Sequence, residues 1–148
     1  MASLEDINKL VLRFSSEYRR ADLPEIRRSE IYSLFTDKTK VPDAKLFWPD
    51  TWPNCNQRGI YAIFSDLDLL YIGKASLQDL GYRIGSYFAY SQDRQSAVPK
   101  KGHIWSKPPT SIVTWAVPEK LFFEATALEE FLIFNLRNQL PDNTIGKA

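Results

Sequence analysis

Two tripeptides ten residues apart hold the most reactive-looking chemistry in the chain. In "RGIYAIFSDLDLLYIGKAS", residues 58–76, Gly59-Ile60-Tyr61 is followed by Tyr71-Ile72-Gly73, with Lys74 directly after. A phenol hydroxyl donates or accepts a hydrogen bond. A lysine supplies a compact positive charge for phosphate oxygens. Side chains alternate faces along a strand, so the turn decides which of these groups meet. If the connection is Asp66-Leu67-Asp68, then Ser65 opposes Leu69, Ile63 opposes Tyr71 and Tyr61 opposes Gly73. Tyr61 and Tyr71 then share a face as diagonal neighbours. A two-residue turn would put them on opposite faces. The first arrangement is expected. It leaves open space over Gly73, and two phenols beside a gap suit a water or a phosphate better than a core. The plain alternative is that strands favour Tyr and Ile, and either tripeptide alone reads that way.

The elements that must position these groups follow from periodicity. Ser3 and Asp6 form a capping box for a first helix, whose stripe runs Leu4, Ile7, Leu10/Val11, Phe14 and Tyr18. "ADLPEIRRSEIYSLF" predicts a second, weaker helix with Asp22 and Glu25 at its start. Arg19/Arg20 and Arg27/Arg28 read as a solvated helical surface, since nine acidic residues sit among ten basic ones in residues 1–58. "VPDAKLFWPDTWPNCNQ" is a connection, with tryptophans that pack it onto the body.

After the hairpin, Ser76 and Asp79 predict the start of a helix with stripe Leu77, Leu80, Ile84 and Phe88. Arg83 and Tyr87 lie four apart beside that stripe. Gly81 and Gly85 weaken the helix, which suggests close approach to a backbone or ligand. Residues 91–109 form a long polar loop, "TSIVTWAV" a third strand, and "LFFEATALEEFLIFNLRNQL" a long apolar helix. The order is helices, strand, strand, helix, strand, helix. The expected fold is α+β: a small three-stranded, mainly antiparallel sheet flanked by helices. Residues 1–50 are expected as a helical N-terminal extension, packed as one unit with a domain over residues 58–146.

Composition narrows the function. The 148 residues match one soluble domain, 44% hydrophobic and 25% charged. One cysteine, Cys55, excludes an internal disulfide framework, and a cytoplasmic setting is expected. No apolar run approaches a membrane span, and "MASLEDINKL" is too charged for a secretory signal. With one histidine and one cysteine, a structural zinc site has too few ligands, whereas a carboxylate-bound magnesium does not. Net charge is +1, but residues 74–107 hold six Lys/Arg against two Asp, a local +4. Such a segment is a phosphate footprint or a solvated loop.

Taken together, the motifs resemble the GIY-YIG nuclease family. They are Gly59-Ile60-Tyr61, Tyr71-Ile72-Gly73-Lys74, Arg83 in "YRIGSYF", Glu129 three residues before Leu132-Ile133, and Pro141 with Asn143. "YIGKASLQDLGYRIGSYF" is also similar to the nuclease domain of the bacterial excision-repair incision enzyme. The resemblance covers residues 59–143 and leaves the first 58 outside it. Many relatives carry a histidine where Tyr87 stands.

The resemblance implies a DNA endonuclease that hydrolyses phosphodiesters with a single divalent cation, Mg2+ or Mn2+. Tyr61 would activate the attacking water, with Lys74 and Tyr71 nearby to lower its pKa or accept a proton. Arg83 would bind the scissile phosphate, Glu129 would hold the metal, and Tyr87 and Asn143 would orient water or phosphate. Helical spacing favours Glu129 over Glu130: Glu129 shares its face with Leu132, Ile133 and Leu136, whereas Glu130 lies beside Arg137. An inward carboxylate needs a partner, either a metal or a neutral group such as a tyrosine hydroxyl. DNA contact is expected from Lys74, Arg83, Arg94, Lys100, Lys101, His103 and Lys107. The competing reading is a catalytically silent nucleic-acid-binding module on the same fold. DNA target, pathway and any homodimer or partner protein are not encoded legibly.

Overall fold

A computed structural model describes residues 2–143. The fold is α+β. Helix α1 (Leu4–Tyr18) begins at the expected capping box: the Asp6 N–H donates to the Ser3 hydroxyl, and the Ser3 N–H donates to the Asp6 carboxylate. Its stripe buries Ile7, Val11 and Phe14.

The second N-terminal helix does not form. Residues 22–35 instead carry two short strands, β1 (Arg27–Arg28) and β2 (Tyr32–Ser33). Both pair antiparallel with one long strand, β8 (Ser111–Ala116), and Ser29 bridges the gap with its N–H on the Thr114 carbonyl. Ile26 and Ile31 pack into one half of the core, while Tyr32 and Leu34 pack into the other. An extended chain can feed both sides of a sheet; a helix with one stripe cannot.

The connection adds a further short strand, β3 (Leu46–Phe47), parallel to β2. Its tryptophans pack as expected, Trp48 against Tyr90 and Trp52 against Tyr32. The expected three-stranded sheet is therefore one side of a six-stranded one. Strand β4 (Gly59–Ser65) is fully buried between β8 and β5 (Asp68–Ala75), both antiparallel to it. The first 50 residues are helical only over α1, and residues 27–47 enter the same sheet as β4. Of the 58–146 segment, residues 144–146 lie outside the described residues.

Alternation along β4 divides the core. Ile60, Ala62 and Phe64 face α1 and the long helix α3 (Glu124–Leu136). Tyr61 and Ile63 face α2 (Leu80–Gly85) and a small second sheet of β6 (Phe88–Tyr90), where the helix stripe was expected to continue to Phe88, and β7 (Ala97–Pro99), inside the expected polar loop. Helix α2 starts later than Ser76 predicts, and Leu77 is exposed. Backbone explains this. The Leu80 and Gly81 N–H groups donate to the Gln57 and Cys55 carbonyls, so the helix start is satisfied by the connecting loop and not by a side-chain cap. Gly81 makes the expected close approach, since a Cβ there would lie 2.9 Å from the Cys55 Cβ. No helix among the described residues is long and apolar enough to cross a membrane.

Candidate active site

The hairpin reaches the expected pairing by an unexpected route. Ser65 pairs with Asp68, so the connection is only Asp66-Leu67, with Asp66 in the left-handed region at φ 53°. A β-bulge then leaves Leu70 without an opposite residue, because Phe64 pairs with Leu69 and Ile63 with Tyr71. That one extra residue restores the register that the two-residue turn would have broken. Tyr61 stands opposite Gly73, and the Tyr61 and Tyr71 rings share a face with centroids 6.1 Å apart.

The space over Gly73 is not open. The Tyr61 ring lies across it: a Cβ on Gly73 would meet Tyr61 Cζ at 2.3 Å. Tyr61 is fully buried as a result. Its hydroxyl is 2.8 Å from that of Tyr87, which donates onward to the Tyr71 hydroxyl at 3.3 Å. With that polarity Tyr61 donates to Tyr87, and the chain of three phenols ends at Tyr71. Burial pushes the Tyr61 hydroxyl well above the usual phenol range, with Tyr87 and Tyr71 adding to it and Arg83 opposing. Tyr71 is pushed up by burial and by its bond to Tyr87, again opposed by Arg83. The cation beside the three phenols is Arg83. Lys74 follows Gly73 and points to the other face, where its ammonium donates to the Thr126 hydroxyl of α3 at 3.1 Å. The sequence expectation of Lys74 beside Tyr61 is corrected by strand alternation.

The two faces meet around the exposed edge of β5. An open groove of about 1120 Å³ runs there, bringing together Tyr71, Lys74, Arg83, Glu129 and Asn143. Glu129 is half-buried while Glu130 is exposed, in line with the helical spacing. Burial raises the Glu129 carboxyl above the usual range; Lys74 and Arg83 pull it back, and Glu130 pushes it up. Its carboxylate makes no hydrogen bond or ion pair with any described residue. Among the described residues there is no cluster of three or more His, Cys, Asp or Glu. Glu129 offers one carboxylate, so a divalent ion held there would have to fill the rest of its shell with water and phosphate oxygens.

Asn143 lines the groove but uses its amide on backbone. The Ile72 N–H donates to its Oδ1 at 2.9 Å, and its Nδ2 donates to the Ile72 carbonyl at 2.8 Å. It closes the free edge of β5 as a neighbouring strand would. That bidentate clasp positions the strand carrying Tyr71 and Lys74.

The remaining residues expected to contact DNA are scattered. Lys107 is ion-paired with Asp68 at the turn end of the hairpin, 2.8 Å apart. Arg94 lies over the Tyr90 ring at 4.1 Å, beyond the β6–β7 pair. Lys100 and Lys101 are exposed on the loop after β7. His103, on the same loop, has its ring 4.9 Å from that of Tyr87. Sequence reasoning passed over Trp105, whose ring meets Tyr71 edge-on at 5.8 Å and covers the phenols from the loop side. A tryptophan inside a polar, lysine-flanked loop was the available signal. It also misjudged Arg19, which is buried in a two-bond ion pair with Glu124 at 2.6 and 2.8 Å. Nothing local distinguishes Arg19 from its exposed neighbour Arg20.

No family model, curated protein or solved structure matches this chain.

Proposed function

We propose that this protein is a metal-dependent DNA endonuclease of the GIY-YIG type, hydrolysing phosphodiester bonds with one divalent cation. The observation that carries the reading is convergence: Tyr71, Lys74, Arg83 and Glu129 come from three elements and line one groove. Arg83 is the planar donor for a phosphate, able to offset charge that builds on its oxygens during attack. Lys74 holds a second phosphate contact on the α3 side. Glu129 would hold the cation, which when bound supplies Lewis-acid polarisation of a phosphate oxygen and stabilises the leaving oxygen.

The phenols act as protonated groups. Burial disfavours a resting phenolate on Tyr61 or Tyr71. The Tyr71 hydroxyl, at the groove end of the chain, accepts from Tyr87 and keeps its own proton to orient the attacking water or a phosphate oxygen. Tyr61 and Tyr87 are positioning residues that hold Tyr71 in that orientation. The Tyr61 role differs from a direct base because no solvent reaches its hydroxyl.

The test is cleavage of supercoiled, linear and branched DNA with magnesium, beside Glu129→Gln and Arg83→Ala. Metal-dependent cutting that both variants lose supports the reading. Near-normal cutting by Glu129→Gln rules out the metal assignment. Absence of cutting with steeply salt-dependent binding selects the silent binding module instead.

A further inference from the structure

The groove has one wall that phosphodiester chemistry leaves unexplained. Tyr18, at the end of α1, and Phe131 and Phe134 on α3 line it together with Arg83 and Glu129. Tyr18 is 62% exposed and Phe134 64%, so neither is held there by core packing. Isolated exposed aromatics are ordinary, but a group of them lining a charged groove marks a binding surface. Tyr18 meets Phe131 edge-on at 5.6 Å, and Phe131 in turn leans on Phe14 at 5.6 Å, which fixes the rings to the body. Cations stand beside these rings. The Arg13 guanidinium lies 5.2 Å from the Phe131 centroid, and that of Arg137 lies 4.6 Å from the Phe134 centroid. Arg13 is shared with Glu17 at 3.4 Å, and Glu130 also faces the groove.

A ligand that satisfies this wall must offer a flat apolar face and negative charge together. A nucleotide does both. In duplex DNA, however, the base faces are covered by their neighbours. Only an unpaired base can lie on an exposed ring, and such stacking tolerates any sequence because every base has a π-face. Resting on the nuclease reading above, we infer that the groove takes a strand with unpaired bases beside the scissile phosphate, stacked on Tyr18 and Phe134. The substrate class is then forked, flapped or single-stranded DNA rather than continuous duplex. Helix α1, outside the family resemblance, supplies half of the stacking wall.

The experiment uses the full chain carrying Glu129→Gln, so that binding is read without turnover. A forked duplex carries 2-aminopurine in its unpaired arm, and a control duplex of equal phosphate count carries it paired. Stacking predicts saturable quenching and at least about tenfold tighter binding for the fork. Adding Tyr18→Leu and Phe134→Leu should remove the quenching and most of that preference while leaving duplex affinity within about twofold; thermal melts confirm that these exposed positions do not unfold the chain. Equal affinity for fork and duplex, or a preference that survives both substitutions, overturns the inference. So does concentration-dependent self-association that the two substitutions abolish, which would make the wall a contact between copies. Cleavage by the unsubstituted chain separates the two claims. Equal cutting of fork and duplex refutes the stacking wall and keeps the nuclease. Quenching without cutting of any DNA keeps the wall and refutes the nuclease.

Discussion

The Tyr61 hydroxyl lies 2.8 Å from that of Tyr87, inside the fold and closed to solvent. The signature tyrosine of the hairpin therefore communicates with the groove through Tyr87 and Tyr71, and through groove-lining Arg83 beside it. Tyr61→Phe should slow single-turnover cleavage by about tenfold or more with little change in DNA affinity, since its effect runs through the orientation of Tyr71. Stability should change by no more than about 1.5 kcal/mol, because Tyr87 keeps Tyr71 as a partner. Tyr71→Phe should be the more severe of the two. A wild-type rate in Tyr61→Phe, measured beside urea melts, would rule out the positioning role.

Asn143→Ala should act on stability first. It leaves the N–H and C=O of fully buried Ile72 without partners. Each orphaned group costs about 1–3 kcal/mol, so a loss of roughly 2–6 kcal/mol is expected in denaturant melts. A change under about 0.5 kcal/mol would mean that the clasp does not hold the edge of β5 in solution.

The Arg19–Glu124 pair ties the end of α1 to the start of α3, with side chains only 5% and 11% exposed. Removing one partner strands a buried charge, and either Arg19→Ala or Glu124→Ala should cost about 3–5 kcal/mol. Arg19→Met with Glu124→Leu should recover much of that. A double-mutant cycle measures the coupling; strictly additive losses would contradict it.

Glu129 gives the pH dependence. Burial raises its folded-state pKa above the unfolded value, so the folded state binds more protons between the two values. Stability from this group is present below the unfolded pKa and is lost as pH rises through the folded pKa. Glu129→Gln should therefore melt higher than the unsubstituted chain at neutral pH, with the difference shrinking toward acid. On the proposed function, metal-dependent cleavage needs the carboxylate, so its acid limb should lie above the usual glutamate range. Lys74→Met should move that limb further up, because Lys74 pulls the carboxyl down. Thermal melts of the three proteins, and rate–pH profiles of the two that keep Glu129, check both signs.

Much of the site was legible because it is local. The capping box of α1 follows from residue types at the start of a helix, and the inward turn of Glu129 relative to Glu130 from the 3.6 period. These patterns need no knowledge of distant chain. What they missed depends on partners far away. Residues 22–35 carry a passable helical pattern, yet the open edge of β8 draws them into strands that feed both halves of the core. Ser76 is a good cap by type, but the carbonyls of Cys55 and Gln57 satisfy the helix start further on.

The bulge at Leu70 is the clearest case of shared control. The sequence placed Tyr61 opposite Gly73 through a three-residue turn; the structure keeps that pairing with a two-residue turn and a bulge, and the Tyr61 ring fills the space that was expected to be open. Whether the chain reached that register by a longer turn or a shorter turn plus a bulge depended on packing against β8 and α3. Likewise the residue types named Lys74, Arg83 and Glu129 as the charged groups of the site. Only the tertiary structure decided that Arg83 faces the phenols while Lys74 lies across the sheet with Thr126. Adjacent residues of a strand must part to opposite faces, and the helices packed on each face settle which partners they meet.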